Sequence, residues 1–190
     1  MSLRSIVKVS HISNLSDARY CAGMGVEMLG FCVVEGQNRY MAPDLFQDIR
    51  GWISGPAIVA ELYGITSVRE IDIILKTYSP DYLEMTLEEY KLFGNLPEIP
   101  CLIYLQKMSS RTALASDSRI SKLIVDEHAA CGDLSGIRVP VLSKVSSLEK
   151  LSKKLTEGCF QGYVLEAPQE IRPGLTNYDQ LGVILEALEE

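Results

Sequence analysis

The chain alternates between short apolar runs and longer segments in which apolar residues recur every three or four positions. Continuous apolar runs are typical of strands buried on both faces, whereas the three-to-four repeat is typical of amphipathic helices. The runs that we predict as strands are SIVKV, EMLGFCVV, AIVAELYG, DYLEM, CLIYL, SKLIVDE, VPVLS and FQGYVLEA. Helical segments separate them along almost the whole chain.

The first strand, helix and second strand predict how these elements connect. Asn14 stands at a helix N-cap position after the first strand, and Gly25 ends the helix. Two strands joined by a helix in so short a segment pair in parallel, and a functional site then lies at the strand carboxyl ends. In this unit those ends carry Ser10, His11 and residues 34–39.

Further helices are predicted where the apolar repeat returns between strands. Ser67 caps one of them, and Ser109 and Ser110 cap another. The segment HAACGDLSGIR after the sixth strand has two glycines and no helical repeat, so a sixth helix should be short or missing. Residues 168–174 are predicted as a loop. The predicted helices are APDLFQDIRGWI, SVREIDIILKTY, LEEYKLFG, SRTALAS, SLEKLSKKLTEG and NYDQLGVILEALEE.

Eight strands alternating with seven or eight helices predict an α/β protein of the small (β/α)8 or TIM-barrel class. Its 190 residues suit one domain over 1–190 better than two. An open doubly wound sheet is the alternative for any alternating sequence. Such sheets usually have about five or six strands, and no Gly-rich phosphate loop follows the first strand here.

Charge and hydropathy restrict the partners. The formal net charge is -7, with 25 acidic and 18 basic residues, and the largest basic cluster is the pair Lys153 and Lys154, so we expect no nucleic-acid groove. No apolar run reaches the roughly 18 residues of a membrane span, and the N-terminal apolar stretch is too short for a signal peptide. We expect a cytoplasmic monomer or homodimer with a small-molecule ligand.

The five cysteines are widely spaced and contain no C-x-x-C pair. An odd number without such pairs gives little support for a disulfide framework or a zinc site, so we expect mostly small buried hydrophobic side chains. Asp126, His128 and Asp133 are closely spaced but match no defined ligand pattern. We therefore expect no metal and no cofactor.

The first βαβ unit also resembles a known family. Its sequence aligns without a gap to the N-terminal motif of phosphoribosylanthranilate isomerase, an enzyme of tryptophan biosynthesis, and QNRYMAP resembles the family's next signature through Arg39, Tyr40 and Pro43. Later stretches match more loosely but in order. The motif positions that match are Lys8, Ile12, Asn14, Asp17, Ala18, Gly25, Gly30 and Phe31.

The resemblance implies an Amadori rearrangement of a phosphoribosylated anthranilate, with a base at the end of the first strand and an acid at the end of the sixth. These roles fall on Ser10, where the family has Cys, and on Asp126, while Arg39 takes the place of the residue that meets the anthranilate carboxylate. A serine hydroxyl is a poor proton acceptor without an adjacent base. His11 stands where the family has Gly; its ordinary pKa suits a base, but strand alternation points it away from the side of Ser10.

Other candidate site residues are open to two interpretations. Asp126 is either the acid or a strand-end carboxylate bound to a loop amide. The family's phosphate turns correspond to Leu142–Val145 and Val164–Glu170, which contain no glycine. There Lys144 attracts a phosphate and Glu166 repels one. The ligand-binding candidates are Arg39, Glu84, Ser143, Lys144 and Glu166, and Glu61, Glu127 and His128 complete an acidic rim.

These residues support two main hypotheses. The first is a phosphoribosylanthranilate isomerase-like barrel with a degenerate active site, with little or no isomerase activity and a retained ligand-binding or regulatory role. The alternative is an active isomerase, an intramolecular oxidoreductase that uses Asp126 and a replacement base. A different enzyme that uses the altered rim is a third possibility.

Overall fold

The computed structural model describes residues 3–93, 96–106, 117–172 and 175–189. Eight parallel strands form a closed barrel in chain order, and the last pairs with the first along the register Lys8 to Val164. The predicted (β/α)8 class is confirmed, and this closing pair excludes an open sheet. The strands are β1 (Ile6–Ser10), β2 (Met28–Cys32), β3 (Ala57–Glu61), β4 (Tyr82–Thr86), β5 (Cys101–Leu105), β6 (Ile120–Val125), β7 (Val141–Lys144) and β8 (Gly162–Glu166).

Most pairs of consecutive strands are connected by a helix, and these helices lie outside the barrel. The side chain of Asn14 accepts the Asp17 N–H, and Ser67 accepts the Glu70 N–H, so both predicted N-caps are present. None of the helices in the described ranges is long and apolar enough to cross a membrane. The α-helices are α1 (Leu15–Gly23), α2 (Pro43–Arg50), α3 (Val68–Tyr78), α4 (Leu87–Phe93), α5 (Leu148–Glu157) and α6 (Asp179–Glu186).

Between β6 and β7 the chain forms one 3-10 turn, Cys131–Leu134, in place of a sixth helix. The prediction of a short or missing helix there is confirmed. The helix predicted at SRTALAS lies outside the described residues.

Alternation along the strands produces two apolar layers, because successive strand residues point to opposite faces. One layer fills the inside of the barrel, and the other lies between strands and helices. Burial on both faces explains why the strands are nearly continuous apolar runs in the sequence. The buried inner layer consists of Met28, Val59, Leu102, Ile124, Leu142 and Val164.

The predicted loop over 168–174 is wrong in part. After β8 the chain forms a small antiparallel pair, β9 (Glu170–Arg172) with β10 (Leu175–Thr176). These strands are short and mostly exposed, so they have no apolar run that sequence analysis can detect.

The expectation of no disulfide is also wrong. Cys131 in the 3-10 turn and Cys159, between α5 and β8, form a disulfide with Cα atoms 5.7 Å apart. Folding brings together two cysteines separated by 28 positions, and that spacing alone carries no signature. Cys21, Cys32 and Cys101 are buried free thiols, as expected.

Reduction of this disulfide should lower the free energy of unfolding. A cross-link across 28 residues restricts the unfolded chain by about 3–4 kcal/mol. We expect urea unfolding of the wild-type protein to lose stability of that order when a reductant is added. The Cys131→Ser variant should show the same loss with no further effect of reductant; a wild type insensitive to reductant would contradict the expectation.

Candidate functional site

A buried ionic cluster occupies the barrel interior on the carboxyl-end side of the apolar layer. The Lys8 ammonium donates hydrogen bonds to Glu61 Oε1 and to Ser10 Oγ, both at 2.6 Å. Glu84 Oε2 lies 2.7 Å from the same nitrogen, an ion-pair distance, although it is not aligned to accept a hydrogen bond. Lys8 and Glu61 are fully buried, and Glu84 is 1% exposed. Three strands therefore converge on one ammonium group.

Glycine on the intervening strand makes room for this cluster. Gly30 lies on β2, between the strands that carry Lys8 and Glu61. A Cβ atom at Gly30 would lie 2.1 Å from Glu61 Oε1 and 2.7 Å from Lys8 Nζ. The ammonium and carboxylate meet only because this position has no side chain.

The cluster keeps Lys8 charged. Burial acts to lower the pKa of Lys8, but attraction to Glu61 and Glu84 outweighs it and raises the pKa to about 12. Burial also acts to raise the pKa of Glu61, yet Lys8 and His11 bring it below its ordinary value. For Glu84, burial dominates and the pKa is raised. Lys8 and Glu61 thus form the ion pair, and Glu84 is the carboxyl group that more readily holds a proton.

Two tyrosines extend the polar contacts from Glu84 on β4 toward Asp126, which directly follows β6. The Tyr63 hydroxyl donates to Glu84 Oε1, and the Tyr104 hydroxyl donates to Asp126 Oδ2 at 2.8 Å. The two rings meet edge to face with centroids 6.2 Å apart. The Lys144 ammonium lies 4.1 Å from the Tyr104 ring centroid, within the range of a cation–π contact.

Asp126 also accepts the Glu127 N–H at 3.0 Å through Oδ1. This is the loop-amide contact that the alternative interpretation of Asp126 anticipates, and the Tyr104 contact is additional to it. Burial and the bond to Asp126 raise the pKa of Tyr104 to about 12, so its hydroxyl is a donor at neutral pH.

His11 does not follow strand alternation. Strand alternation would point the His11 side chain away from the side of Ser10. Its φ of +58° is instead in the left-handed region, so this alternation does not set its direction. Its Nδ1–H donates to Glu166 Oε2 at 2.5 Å, while Nε2 lies 3.8 Å from Glu61 Oε2. The hydrogen bond to Glu166 is the main cause of a raised His11 pKa. His11 therefore joins the candidate site beside a carboxylate that favours its protonated form.

Arg39 joins two loops at the edge of this site. Its Nη1 donates to the carbonyl oxygens of His11 at 3.1 Å and Ala167 at 2.9 Å. Arg39 also lines a cavity of about 340 Å³ beside the barrel. The arginine that was predicted to meet a ligand carboxylate thus holds backbone carbonyls that follow β1 and β8. The cavity is lined by His11, Asn38, Arg39, Glu166, Ala167 and Gln169.

The first backbone amide of each turn after β7 and β8 donates a hydrogen bond to a backbone carbonyl of the protein. The Val145 N–H donates to Val164 O at 3.0 Å, and the Ala167 N–H donates to Ser10 O at 2.9 Å. A second cavity of about 260 Å³ lies beside these turns and α6, and Glu166 is the one charged residue among those that line it in the described chain. Both of these amides therefore have partners within the protein, and Glu166 gives this cavity a negative charge.

Several predicted ligand-binding and rim residues lie apart from the cluster. Ser143 is fully buried and its hydroxyl donates to Lys144 O at 3.2 Å. Glu127 pairs with Lys150, and the His128 side chain is 84% exposed. Within the described ranges, the one group of potential metal ligands is Cys131, Glu157 and Cys159, so Asp126 and His128 form no such group.

Three residues of this site are not among those predicted from the sequence: Lys8, Tyr63 and Tyr104. A signal for Lys8 is available, because a lysine interrupts an apolar strand two positions before Ser10 and so shares its face. Tyr63 likewise follows Glu61 by two positions. Nothing in the sequence indicates that Tyr104 contacts Asp126.

Comparison with solved structures identifies the architecture. The chain superposes on phosphoribosyl anthranilate isomerase from Thermus thermophilus with a TM-score of 0.76 at 18% identity, covering 96% of this chain and 98% of that one. The fold is that of the phosphoribosylanthranilate isomerases. The Pyrococcus furiosus isomerase gives a TM-score of 0.71 at 12% identity, with 96% and 97% of the two chains covered.

A phosphoribosyl anthranilate isomerase in complex with reduced 1-(o-carboxyphenylamino)-1-deoxyribulose 5-phosphate gives a TM-score of 0.74 at 13% identity, again covering 96% of this chain and 97% of that one. No protein-family model and no curated protein sequence matches the chain. Its relation to the isomerase fold is therefore visible in the backbone and in the short motifs around β1 and β2.

Removal of the Lys8 charge should strongly destabilise the protein. In a Lys8→Met variant, Glu61 and Glu84 remain buried without their cation, which typically costs about 3–5 kcal/mol. The loss should be larger at pH 7 than at pH 4, because without Lys8 the folded-state pKa of Glu61 rises above its unfolded value and ionisation then opposes folding. Urea unfolding of the wild type and of Lys8→Met at both pH values measures this loss of stability.

Lys122→Met is a matched control for that variant. Lys122 lies on β6 with its ammonium 4.8 Å from the Tyr82 ring centroid and is only partly buried. Its substitution should cost less than about 1 kcal/mol. Equal losses in the two variants would contradict the special role of the Lys8 cluster.

The His11–Glu166 pair should determine the pKa of His11. Glu166→Gln removes the carboxylate, so the His11 pKa measured by NMR titration should fall toward about 6.5. Burial acts to raise the Glu166 pKa, but the hydrogen bond from His11 lowers it.

The same shifts define a pH window for stability. The stabilisation that Glu166 contributes is present above about pH 4.5 and is lost as the pH falls through the lowered Glu166 pKa. The stabilisation that His11 contributes is complete below about pH 6.5 and is lost as the pH rises through the raised His11 pKa. The stability difference between wild type and Glu166→Gln should therefore be largest between these values; no pH dependence of this difference would contradict the pairing.

Proposed function

We propose that this chain is a divergent member of the phosphoribosylanthranilate isomerase family with little or no isomerase activity. In this proposal the barrel keeps a site for a small-molecule ligand, with a binding or regulatory role. Full-length similarity to the isomerase fold supports the family, as do the motif positions Lys8, Asn14, Gly30 and Arg39.

The environment of Ser10 is the observation on which the proposal depends. Ser10 is 3% exposed, and its hydroxyl oxygen accepts a hydrogen bond from the Lys8 ammonium. A serine becomes a base or nucleophile only when a neighbouring group removes its proton. A charged lysine donates a hydrogen bond to this oxygen and cannot accept the hydroxyl proton. Glu61, the carboxylate beside Ser10, has a lowered pKa and is therefore a weak base. The environment of Ser10 thus supports low activity at the position where the family has its base.

The strand ends that hold phosphate in the family also support the proposal. The amides of Val145 and Ala167 are used internally, and Lys144 is turned over the Tyr104 ring. Glu166 adds a negative charge to the adjacent cavity. A ligand without a phosphate dianion fits this distribution of charge better than a phosphosugar does.

An active isomerase is the second candidate, and the position of His11 favours it. The imidazole is bonded to Glu166 and lies close to Glu61, so it has the carboxylate partner that a catalytic base requires. Asp126, bonded to Tyr104, would then be the acid. In this case the rate should rise with pH through the raised His11 pKa, and His11→Gln should abolish it.

Isomerase activity should be low. Because Ser10 replaces the family's Cys, turnover of phosphoribosylanthranilate should be at least about 100-fold below that of a Cys-bearing relative, the low end of what a positioned base contributes. Ser10→Cys alone should not restore the rate, since the turns after β7 and β8 remain unsuited to phosphate. Fluorescence-monitored steady-state kinetics measures both, and a wild-type rate within tenfold of the relative would contradict the proposal.

Phosphate should bind weakly. A dianion beside Glu166 experiences a repulsion of several kcal/mol at an effective dielectric constant of about 20. We expect ribose 5-phosphate to bind with a Kd weaker than about 100 µM, or about 5.5 kcal/mol, in calorimetry. Glu166→Gln is the matched variant and should tighten binding; a wild-type Kd below that value would favour a working phosphosugar site.

A further inference from the structure

A group of sulfur and oxygen ligands lies outside the barrel, far along the chain from the β1 residues. Glu157 ends α5, Cys159 follows two residues later, and Cys131 belongs to the 3-10 turn. Their ligand atoms all lie within 4.8 Å of one another, and Cys131 Sγ is 4.0 Å from Glu157 Oε2. All three side chains are partly buried. No step of the proposed function uses them.

We propose that the reduced form of this group binds one thiophilic divalent cation, with Zn²⁺ as the preferred ion. A thiol reductant would supply two electrons and two protons to the Cys131–Cys159 bond and leave two thiols. Binding of Zn²⁺ would then release both thiol protons, because the thiolate is the ligand. Glu157 supplies a carboxylate oxygen as the third ligand, and water completes the tetrahedral set that Zn²⁺ prefers.

Backbone geometry favours chelation by both cysteines. Their Cα atoms are 5.7 Å apart, so two thiolates can reach one ion without movement of the strands that flank them. Glu157 and Cys159 flank Gly158, whose φ of +66° ends the helix and turns the chain toward the 3-10 segment. The helix end therefore fixes two of the three ligands relative to each other.

The charges around the group also favour a dication. The ammonium of the buried Lys154 lies 3.2 Å from Glu157 Oε2 and donates to Ala129 O at 2.6 Å. In the reduced state, two thiolates and one carboxylate balance the combined charge of Zn²⁺ and Lys154. In the disulfide state only the carboxylate remains, and Lys154 already neutralises it. The redox state of Cys131 and Cys159 thus controls whether a cation is held.

The site has a structural consequence for the segment between β6 and β7. That segment has one 3-10 turn in place of a helix, and none of the turn's residues is fully buried. Either the disulfide or a bound ion attaches it to the end of α5. This inference is independent of the isomerase question, because Cys131, Glu157 and Cys159 lie outside the barrel site.

The test is a metal titration of the whole protein in both redox states. Reduced wild type, kept anaerobic, should bind one Zn²⁺ in calorimetry, and Co²⁺ should give thiolate charge-transfer absorption. The oxidised protein should bind neither ion at this site. Cys131→Ser retains Cys159 and the three buried thiols as a background control. It should weaken Zn²⁺ binding at least about 100-fold, at or beyond the upper end of the loss seen for outer-shell partners.

Glu157→Gln separates this site from a simple pair of reactive thiols. It leaves disulfide formation possible, so an oxidised sample verifies that the fold is intact, and it should weaken Zn²⁺ binding about tenfold. Unchanged affinity in Glu157→Gln would overturn the ligand assignment. Equal binding by reduced wild type and Cys131→Ser, or equal binding by oxidised and reduced wild type, would overturn the proposal.

Discussion

The ion pair between Lys8 and Glu61 is the interaction on which the rest of the barrel's carboxyl end depends. Desolvation costs several kcal/mol for each buried ion, and it is offset only when the geometry provides close partners. Lys8 has such partners in Glu61, Glu84 and Ser10. The requirement extends to β2, where Gly30 leaves the space in which the two side chains meet. One charged residue thereby constrains four neighbouring strands of the barrel.

The same interaction limits the chemistry of the site. An ammonium held beside position 10 stabilises an anion there, which suits a thiol that ionises near neutral pH. A serine hydroxyl at the same position remains neutral and accepts the hydrogen bond instead. In the proposed function, the lysine that would stabilise a thiolate at this position therefore does not activate Ser10. Beyond it, Glu61 connects to His11, and Glu84 connects to Tyr63, so the polar contacts spread outward from the Lys8 ammonium to the rim.

The fold could be predicted from the sequence, because alternation of apolar runs and helical repeats reflects burial that every strand shares. The site could be predicted only in part. The positions of Glu84 on β4 and of Asp126 directly after β6 follow from the apolar runs, but the direction of His11 depends on a positive φ that its sequence does not require. The disulfide was missed for a related reason: Cys131 and Cys159 meet through the packing of α5 against the segment after β6, and no local pattern records that contact.

NMR titration of the Lys8 side chain tests whether Glu61 and Glu84 hold its ammonium in the charged form. With ¹³C-labelled lysine, and with Lys8→Arg to assign the signal, the Cε resonance of Lys8 reports whether the amine is charged. We expect Lys8 to stay protonated well above the ordinary lysine pKa of 10.5, with a pKa of about 12 or no titration before alkaline unfolding. A Lys8 signal that titrates below about 10 would show that the ammonium is not held by Glu61 and Glu84, and would contradict the account.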